Sequence, residues 1–363
     1  MNKTINLNGL YDGFLYRDKR DGQSDGFILE KPSDSPSLLL RRVYFKADEG
    51  YLVDHFVLSI FSRISAKAPE SKVYDIKDAK NCSRFYLSTN GMTRSFVKNG
   101  ILKRQIFTHN FPPKRELNEE QIKKFMVSLA KLRILIYVFG LGDLSIANIG
   151  YIYKDNHKED EERTVKVGIV DFITPVTGRY FDRPCWQPPY SKCFPYGSTL
   201  LRSEFVERLN KIAPMFSRTF CGQTFIQSCG GKGEPVLNDY QQAMDEIRCP
   251  KVKEFDENGY LVSSSKGKKT KFENVLEEVF KDLKEECEVL WSGVERSPQN
   301  KSILFNLASD LNAIAIYKDI IKSRFLELRS IIVEKDVSNK SIRLVVAFWI
   351  VCFLVLLRSL ALI

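Results

Sequence analysis

Three polar side chains stand at spacings that chemistry could use: Asp143, Asn148 and Asp171. They share one stretch, Tyr137 to Phe172, which reads YVFGLGDLSIANIGYIY, then a charged insert, then VKVGIVDF. An apolar run ends in Gly140-Leu141-Gly142 and opens onto Asp143; Asn148 follows five residues later, just ahead of a β-like segment from Ile149 to Tyr153. The insert KDNHKEDEERT separates it from a second β-rich segment, Val165 to Val170, which runs into Asp171-Phe172. Two such strands joined by a polar turn form a hairpin, with Asn148 and Asp171 at strand ends on the same side. The result is two carboxylates and a carboxamide at one sheet edge. Hard oxygen donors of this kind suit Mg²⁺, which is commonly held by one or two carboxylates and completed by substrate phosphates. The plainer reading of the same residues is turn chemistry, since Asp after Gly often caps a short turn.

The spacing Asp, Asn-Ile, apolar strand, Asp-Phe resembles the catalytic core of the protein-kinase-like superfamily. Asp143-Leu144 with Asn148-Ile149 is similar to the Asp-Leu-Lys-x-x-Asn-Ile loop of protein kinases. Gly140-Leu141-Gly142-Asp143 and Val170-Asp171-Phe172 resemble phosphoinositide kinases, which carry Gly-Ile-Gly-Asp-Arg-His-x-x-Asn-Ile and Ile-Asp-Phe-Gly. The resemblance implies ATP and Mg²⁺ as cofactors, Asp143 as the residue that orients or deprotonates the acceptor hydroxyl, and Asn148 and Asp171 as metal ligands. Two positions depart from it. Ser145 stands where protein kinases have Lys and phosphoinositide kinases have His, and Ile173 replaces the Gly after Asp-Phe. The first takes a cation or base from beside the transferring phosphate, and the second takes away a flexible hinge. Neither takes away a metal ligand.

The elements that must position these groups begin near the N-terminus. Gly26 to Glu30 and Leu38 to Phe45 read as strands joined by Lys31-Pro-Ser-Asp-Ser-Pro-Ser37. A Ser- and Pro-rich hairpin loop resembles the phosphate-covering loop of phosphoinositide-kinase-like enzymes, which implies Ser35 and Ser37 near the phosphates; taken alone, such a loop is a turn. The second strand delivers Lys46, and an amphipathic helix follows with Leu52, Val53, Phe56, Val57, Ile60, Phe61 and Ile64 on one stripe. Strand, Lys, then a helix with an inward acid is how kinases fix the Lys on ATP phosphates. Lys46 takes that role, with Glu49 as its partner and Asp54 as the competitor; by itself Glu49 is only an acid favoured at a helix N-terminus. Val73 to Ile76 and Arg84 to Ser88 complete this small sheet, which makes Tyr86 to Asn90 the expected hinge against the adenine, and Asn90-Gly91 a turn closing a hairpin with Thr93 to Val97. Asn118 and Gln121 form a capping box opening a helix through Ile122, Phe125, Met126, Leu129 and Leu132.

Composition bounds the rest. The 363 residues hold 44% apolar and 28% charged side chains, an ordinary globular balance. A net charge of +10 favours anionic partners, and no run of Arg with interleaved aromatics singles out nucleic acid, so none is expected. Only three histidines exist, which excludes a His-rich metal site, and the eight cysteines form no Cys-x-x-Cys pair. With no secretory signal at MNKTINLNGLYDG, the thiols are expected reduced and the body cytosol-facing. The segment from Ile173 to Thr199 is irregular and basic at Arg179, Arg183 and Lys192, fitting either a substrate loop or a solvated surface.

Towards the C-terminus, Phe272 to Leu290 carries a clean helical stripe, and a second helix is expected from about Ser302 to Glu334; the two read as an antiparallel hairpin packed on the larger lobe. Leu344 to Leu357 then runs fourteen residues without a charge, and the chain stays apolar to Ile363 save Arg358 and Ser359. Twenty helical residues cover about 30 Å, a bilayer core. Lys335, Lys340 and Arg343 flank the near side, consistent with a cytosolic body.

The expectation is therefore an α+β, two-lobed, protein-kinase-like fold: a small lobe over residues 8–90, a large lobe over 91–260, a helical hairpin over 270–336 and a transmembrane tail anchor over 344–363. The implied activity is transfer of the ATP γ-phosphate to a hydroxyl, of a protein or of a phosphoinositide; a membrane-tethered kinase-like scaffold without catalysis is the other reading, supported by Ser145 and Ile173. Divergent anchored chains of this kind resemble effector kinases that intracellular bacteria place in host cells. A chain ending at Ser341 is expected in the soluble fraction, with the full chain in the membrane pellet. A truncated chain that still resists alkaline extraction would place the anchor elsewhere.

Overall fold

The computed structural model describes residues 14–18, 25–31, 41–47, 50–64, 66–77, 83–98, 101–109, 117–142, 148–155, 165–174, 209–210, 234–250, 270–294 and 301–334. The fold is α+β. Its N-terminal sheet holds β1 (Leu15–Asp18), β2 (Asp25–Lys31) and β3 (Arg41–Ala47), then α1 (Tyr51–Arg63), then β4 (Ser71–Lys77) and β5 (Ser83–Asn90). The strands are antiparallel in the order β1-β2-β3-β5-β4. Side chains alternate across a strand, and β3 uses that alternation fully. Val43 and Phe45 are buried on one face with Phe27, Leu29 and Ile76. Arg42, Tyr44 and Lys46 face the other way, towards the side that α1 covers. Gly26 sits opposite Lys46, and a Cβ there would stand 2.1 Å from the Phe45 carbonyl oxygen, so only glycine permits this close ladder.

The second sheet is built from β6 (Arg94–Lys98), β7 (Ile101–Thr108), β8 (Ile149–Asp155) and β9 (Val165–Ile169), antiparallel in that order. Here the expected hairpin across Asn90-Gly91 is corrected. The β5 ladder ends at Asn90, the Gly91 amide donates to the Arg42 carbonyl at 2.9 Å, and the chain then leaves for the other sheet, where β6 pairs with β7. Between β7 and β8 runs α2 (Glu119–Phe139), opened by the expected capping box: Gln121 N donates to Asn118 Oδ1 at 2.9 Å and Asn118 N to Gln121 Oε1 at 3.0 Å. It closes on Gly140 in the left-handed region (φ 61°), a C-cap that favours glycine.

Three more helices complete the described chain: α3 (Leu237–Arg248), α4 (Phe272–Gly293) and α5 (Lys301–Arg329), the last continuing as one π-helical turn over Ser330–Glu334. The helices α4 and α5 are antiparallel, with Phe272 against Phe325 at one end and Lys318 bonded to Glu277 further along. The expected hairpin forms, but its seat is broader than the larger lobe. On α1 it holds Phe56 edge-to-face with Phe280, Arg63 with Glu278 at 3.3 Å and with Asp282, and His55 with Glu286 at 2.9 Å. On α2 the Tyr317 hydroxyl donates to the Phe139 carbonyl. Burial resists ionisation of Glu286, but the hydrogen bond and charge of His55 outweigh it and hold the carboxyl below its ordinary range. The expected tail from 344 onward lies outside the described residues; among the described residues no helix is long and apolar enough to cross a membrane.

One continuous core joins these parts, and Phe61 lies at its middle. Its ring meets Phe139 at the end of α2 at 5.2 Å and Phe172 beyond β9 at 6.3 Å, and none of it is exposed. Phe61→Ala is expected to cost about 3–5 kcal/mol, the scale for emptying a buried aromatic site. Urea unfolding measures it; a loss below about 1 kcal/mol would mean that the three elements are not joined through this ring.

Candidate functional site

A cavity of about 570 Å³ opens between the α1-facing side of β3 and β5, the segment linking the two sheets, α1, β7 and the end of β9. That volume lies within the range of small-molecule sites. Its walls are largely apolar, with Leu58, Leu87, Met92, Phe107, Val170 and Phe172 contributing, and opposite charges meet around Lys46. The Lys46 ammonium is 3.8 Å from Asp54 Oδ2 and 3.5 Å from Asp171 Oδ1. Strand alternation aims Lys46 into the cavity. Asp54 arrives from the first turn of α1, its amide bonded to the Gly50 carbonyl at 3.0 Å, and its side chain is buried.

Asp171 comes from the far end of the β8–β9 hairpin. The Val170 amide donates to the Asn148 carbonyl at 2.8 Å, so the two strand ends are closed together, as the hairpin reading expects. Phe172 is buried against Phe61, which leaves the preceding carboxylate turned outward with its side chain 53% exposed. The Phe172 amide donates to Asp171 Oδ1 at 3.0 Å. Asn148 does not line the cavity; it is tied by its carbonyl to Val170, which does. One step further on, Ile173 and Gly142 exchange both backbone bonds, at 2.8 and 3.1 Å. The residue just before Asp143 is thereby bonded to a residue two positions beyond Asp171.

Asp143, Glu49, Ser35 and Ser37 lie outside the described residues. Lys31 and Arg41, described residues that flank the two serines in sequence, are paired at one end of the β2–β3 ladder, whereas Lys46 is paired with Gly26 near the other. Asp54, weighed as the competitor for Lys46, stands beside it. The stretch Tyr86 to Asn90, expected as the hinge against the adenine, lies along β5 itself. Tyr86 belongs to the opposite face of β5, edge-on to Phe27, while Leu87, Thr89 and Asn90 line the cavity and the crossing itself is made by Gly91 to Thr93.

Several lining residues escape sequence reasoning. Arg42 and Tyr44 share the Lys46 face by simple period-two spacing, a signal that the sequence does carry. Phe107 and His109 come from the end of β7, whose partners are β6 and β8, and nothing local marks them. The crossing segment is fastened to the second sheet as well as the first: Gln105 Nε2 donates to the Met92 carbonyl at 2.9 Å, and the Phe107 amide to Thr93 Oγ1 at 3.0 Å. Comparison with protein-family models, with curated proteins and with solved structures finds no match to this chain.

An apolar slot with a cation at its end, and an outward carboxylate beside that cation, can take a flat apolar group joined to an anion. The two ion pairs of Lys46 also differ in kind. Asp54 is buried, so removing its cation strands a charge; Asp171 is half exposed, so its contribution to folding is small. Lys46→Met is expected to lower stability by about 1–3 kcal/mol, and Asp171→Ala by less than about 1 kcal/mol. Thermal unfolding of both variants checks this, and equal losses would contradict it.

Proposed function

We propose that the chain is an ATP- and Mg²⁺-dependent phosphotransferase with a two-lobed kinase-like fold, held at a membrane by its C-terminal apolar segment and acting on a protein hydroxyl. The observation that carries this reading is the meeting of Lys46, Asp54 and Asp171. A lysine on the third strand, an acid on the helix after it, and an Asp-Phe 125 residues beyond the lysine converge at one cavity. Phosphoryl transfer needs little covalent chemistry from the protein; it needs positioning and charge stabilisation. Lys46 would bind the nucleotide phosphates, with Asp54 holding its ammonium in place. The slot between β3, the crossing segment and Phe107 would take the base.

Asp171, a half-exposed carboxylate, is of the donor type that Mg²⁺ takes, and Asn148, whose carbonyl closes the facing strand end, would add its carboxamide, with nucleotide phosphates and water completing the shell. The metal would neutralise charge on the phosphate oxygens. Asp143 would hold the acceptor hydroxyl in line; the Gly142–Ile173 bridge next to it supports its closeness to Asp171. A protein acceptor is favoured over a phosphoinositide because Ser145 replaces the histidine of the lipid enzymes. The net charge of +10 and the apolar tail keep the lipid as the second reading.

Transfer of labelled γ-phosphate from Mg-ATP to protein and phosphoinositide acceptors tests the reading. Asp171→Ala is expected to abolish Mg²⁺-dependent nucleotide binding, read as loss of the ligand-induced rise in melting temperature. Asp143→Asn should keep nucleotide binding and lower transfer at least ~10²-fold, whereas a mere turn cap would tolerate Asn. Asp54→Asn should weaken nucleotide binding more than Glu49→Gln does. Unchanged binding in Asp171→Ala would sink the metal assignment, and nucleotide bound without transfer to either acceptor class would favour a scaffold without catalysis.

A further inference from the structure

Beside β8 and β9 lies a second cavity, of about 550 Å³, lined also from α2, α3, β7 and the segment after α1. Its rim carries Lys67, Lys124, Lys131 and Lys166, against Glu246 as the acid lining it. These lysines come from three separate parts of the fold and converge on one hollow. Lys131 is half-buried: its side chain is 13% exposed, its ammonium donates to the Ile64 carbonyl at 3.0 Å, and Glu246 lies 3.6 Å away. The neutralising power of Glu246 is thus directed at Lys131. Lys124 is bonded to Glu120 at 2.8 Å, an exposed pair of the kind that contributes little. Cations gathered around one hollow repel one another and create a positive potential that an anion relieves. Between the lysines the walls are apolar, from Val127, Leu132, Leu135 and Ile152.

We propose that this cavity is a binding site for a small, multiply phosphorylated molecule, a phosphorylated polyol by preference. An apolar lining with ammonium groups around it matches a compact carbon ring that carries phosphates at its edge. A single inorganic phosphate would leave most of the volume unfilled. The site does not depend on the phosphotransferase reading, since it stands on its own residues. It is linked to the first cavity all the same. Gln105 lines the second cavity, and its side-chain amide is bonded to the Met92 carbonyl, which belongs to the crossing segment lining the first. A ligand that draws on Gln105 would therefore loosen or re-aim the wall of the nucleotide slot.

Calorimetry on the full chain tests the proposal, with myo-inositol hexakisphosphate as the soluble probe and vesicles containing or lacking a phosphoinositide as the lipid probe. The hexakisphosphate is expected to bind, less tightly at high salt. Its affinity should fall at least ~10-fold in the double variant Lys124→Gln/Lys166→Gln, on the scale of hydrogen bonds to charged groups. Both lysines are exposed, so the fold should survive, and their melting curves verify that. Lys46→Met in the first cavity should leave the affinity unchanged. Vesicle binding that falls in the same double variant would assign a lipid headgroup as the source, and binding of the soluble probe alone a free polyol phosphate. No binding by the wild type, equal binding by the double variant, or loss in Lys46→Met would each overturn the site, the last by placing the anion in the nucleotide slot.

Discussion

Nearly all of α1 is buried, and much of the structure follows from that constraint. From Leu52 to Leu58 no residue is exposed, although the run includes Asp54 and His55. A helix wrapped this completely needs partners on every side, and it has them: the small sheet on one face, α4 on another, and Phe61 reaching the ends of α2 and β9. Its two ionisable groups must then be satisfied inside the protein, because a buried charge without a partner is costly. His55 is met by Ser71 Oγ and Glu286, both at 2.9 Å. Asp54 is met by Lys46. The latter pair reaches the cavity, so the demand for burial of α1 and the placing of a cation at the candidate site are one requirement. The helical pair α4 and α5 is accordingly part of the site's scaffold, since without α4 one side of α1 would be bare.

The crossing between the sheets imposes a second constraint. Three residues, Gly91 to Thr93, separate β5 from β6, and the bonds Gly91–Arg42, Gln105–Met92 and Phe107–Thr93 fix this short bridge to both sides. A segment so held gives the cavity one stiff wall. Gly150 illustrates how tightly the second sheet is drawn together behind it: a Cβ there would stand 2.6 Å from the Thr108 carbonyl oxygen and press on the Phe107 ring. Phe107 itself lines the cavity, so packing within the sheet and the shape of the slot are coupled.

Where local chemistry dictates the outcome, the sequence can be read. The Asn118–Gln121 capping box, the β8–β9 hairpin and the apolar stripe of α4 each rest on neighbours a few residues apart, and each is present. Lys46 and Asp171 can be named from spacing, but their distance cannot, because it depends on how α1 is buried. Helix α3 is harder to see, although Tyr240, Ala243, Met244 and Ile247 are buried at helical spacing. Its N-terminus is closed from within by Asp239, which accepts from the Val236 amide at 2.8 Å, rather than by a preceding Ser, Thr or Asn. Strands β6 and β7, RSFVK and ILKRQIFT, carry cations where alternation would place apolar residues, which hides their partnership. The second cavity has no local signature, since its lysines are brought together only by tertiary packing.

The segment Asp171-Phe172-Ile173 is held more firmly than a glycine at its third position would allow. Glycine after Asp-Phe would leave the backbone free to swing. Here Ile173 is pinned to Gly142 by two hydrogen bonds, and Phe172 before it is locked against Phe61. Gly142 is not needed sterically for this contact, since an added Cβ would stand 3.8 Å from the Ile173 carbonyl oxygen; the left-handed turn that requires glycine is at Gly140. The backbone at Asp171 is therefore held from both sides of the chain, by the hairpin end at Val170 and by the bridge at Ile173. A carboxylate carried on a backbone fixed in this way gives up little chain freedom when it meets a ligand, which favours a preorganised site over one assembled by a moving segment.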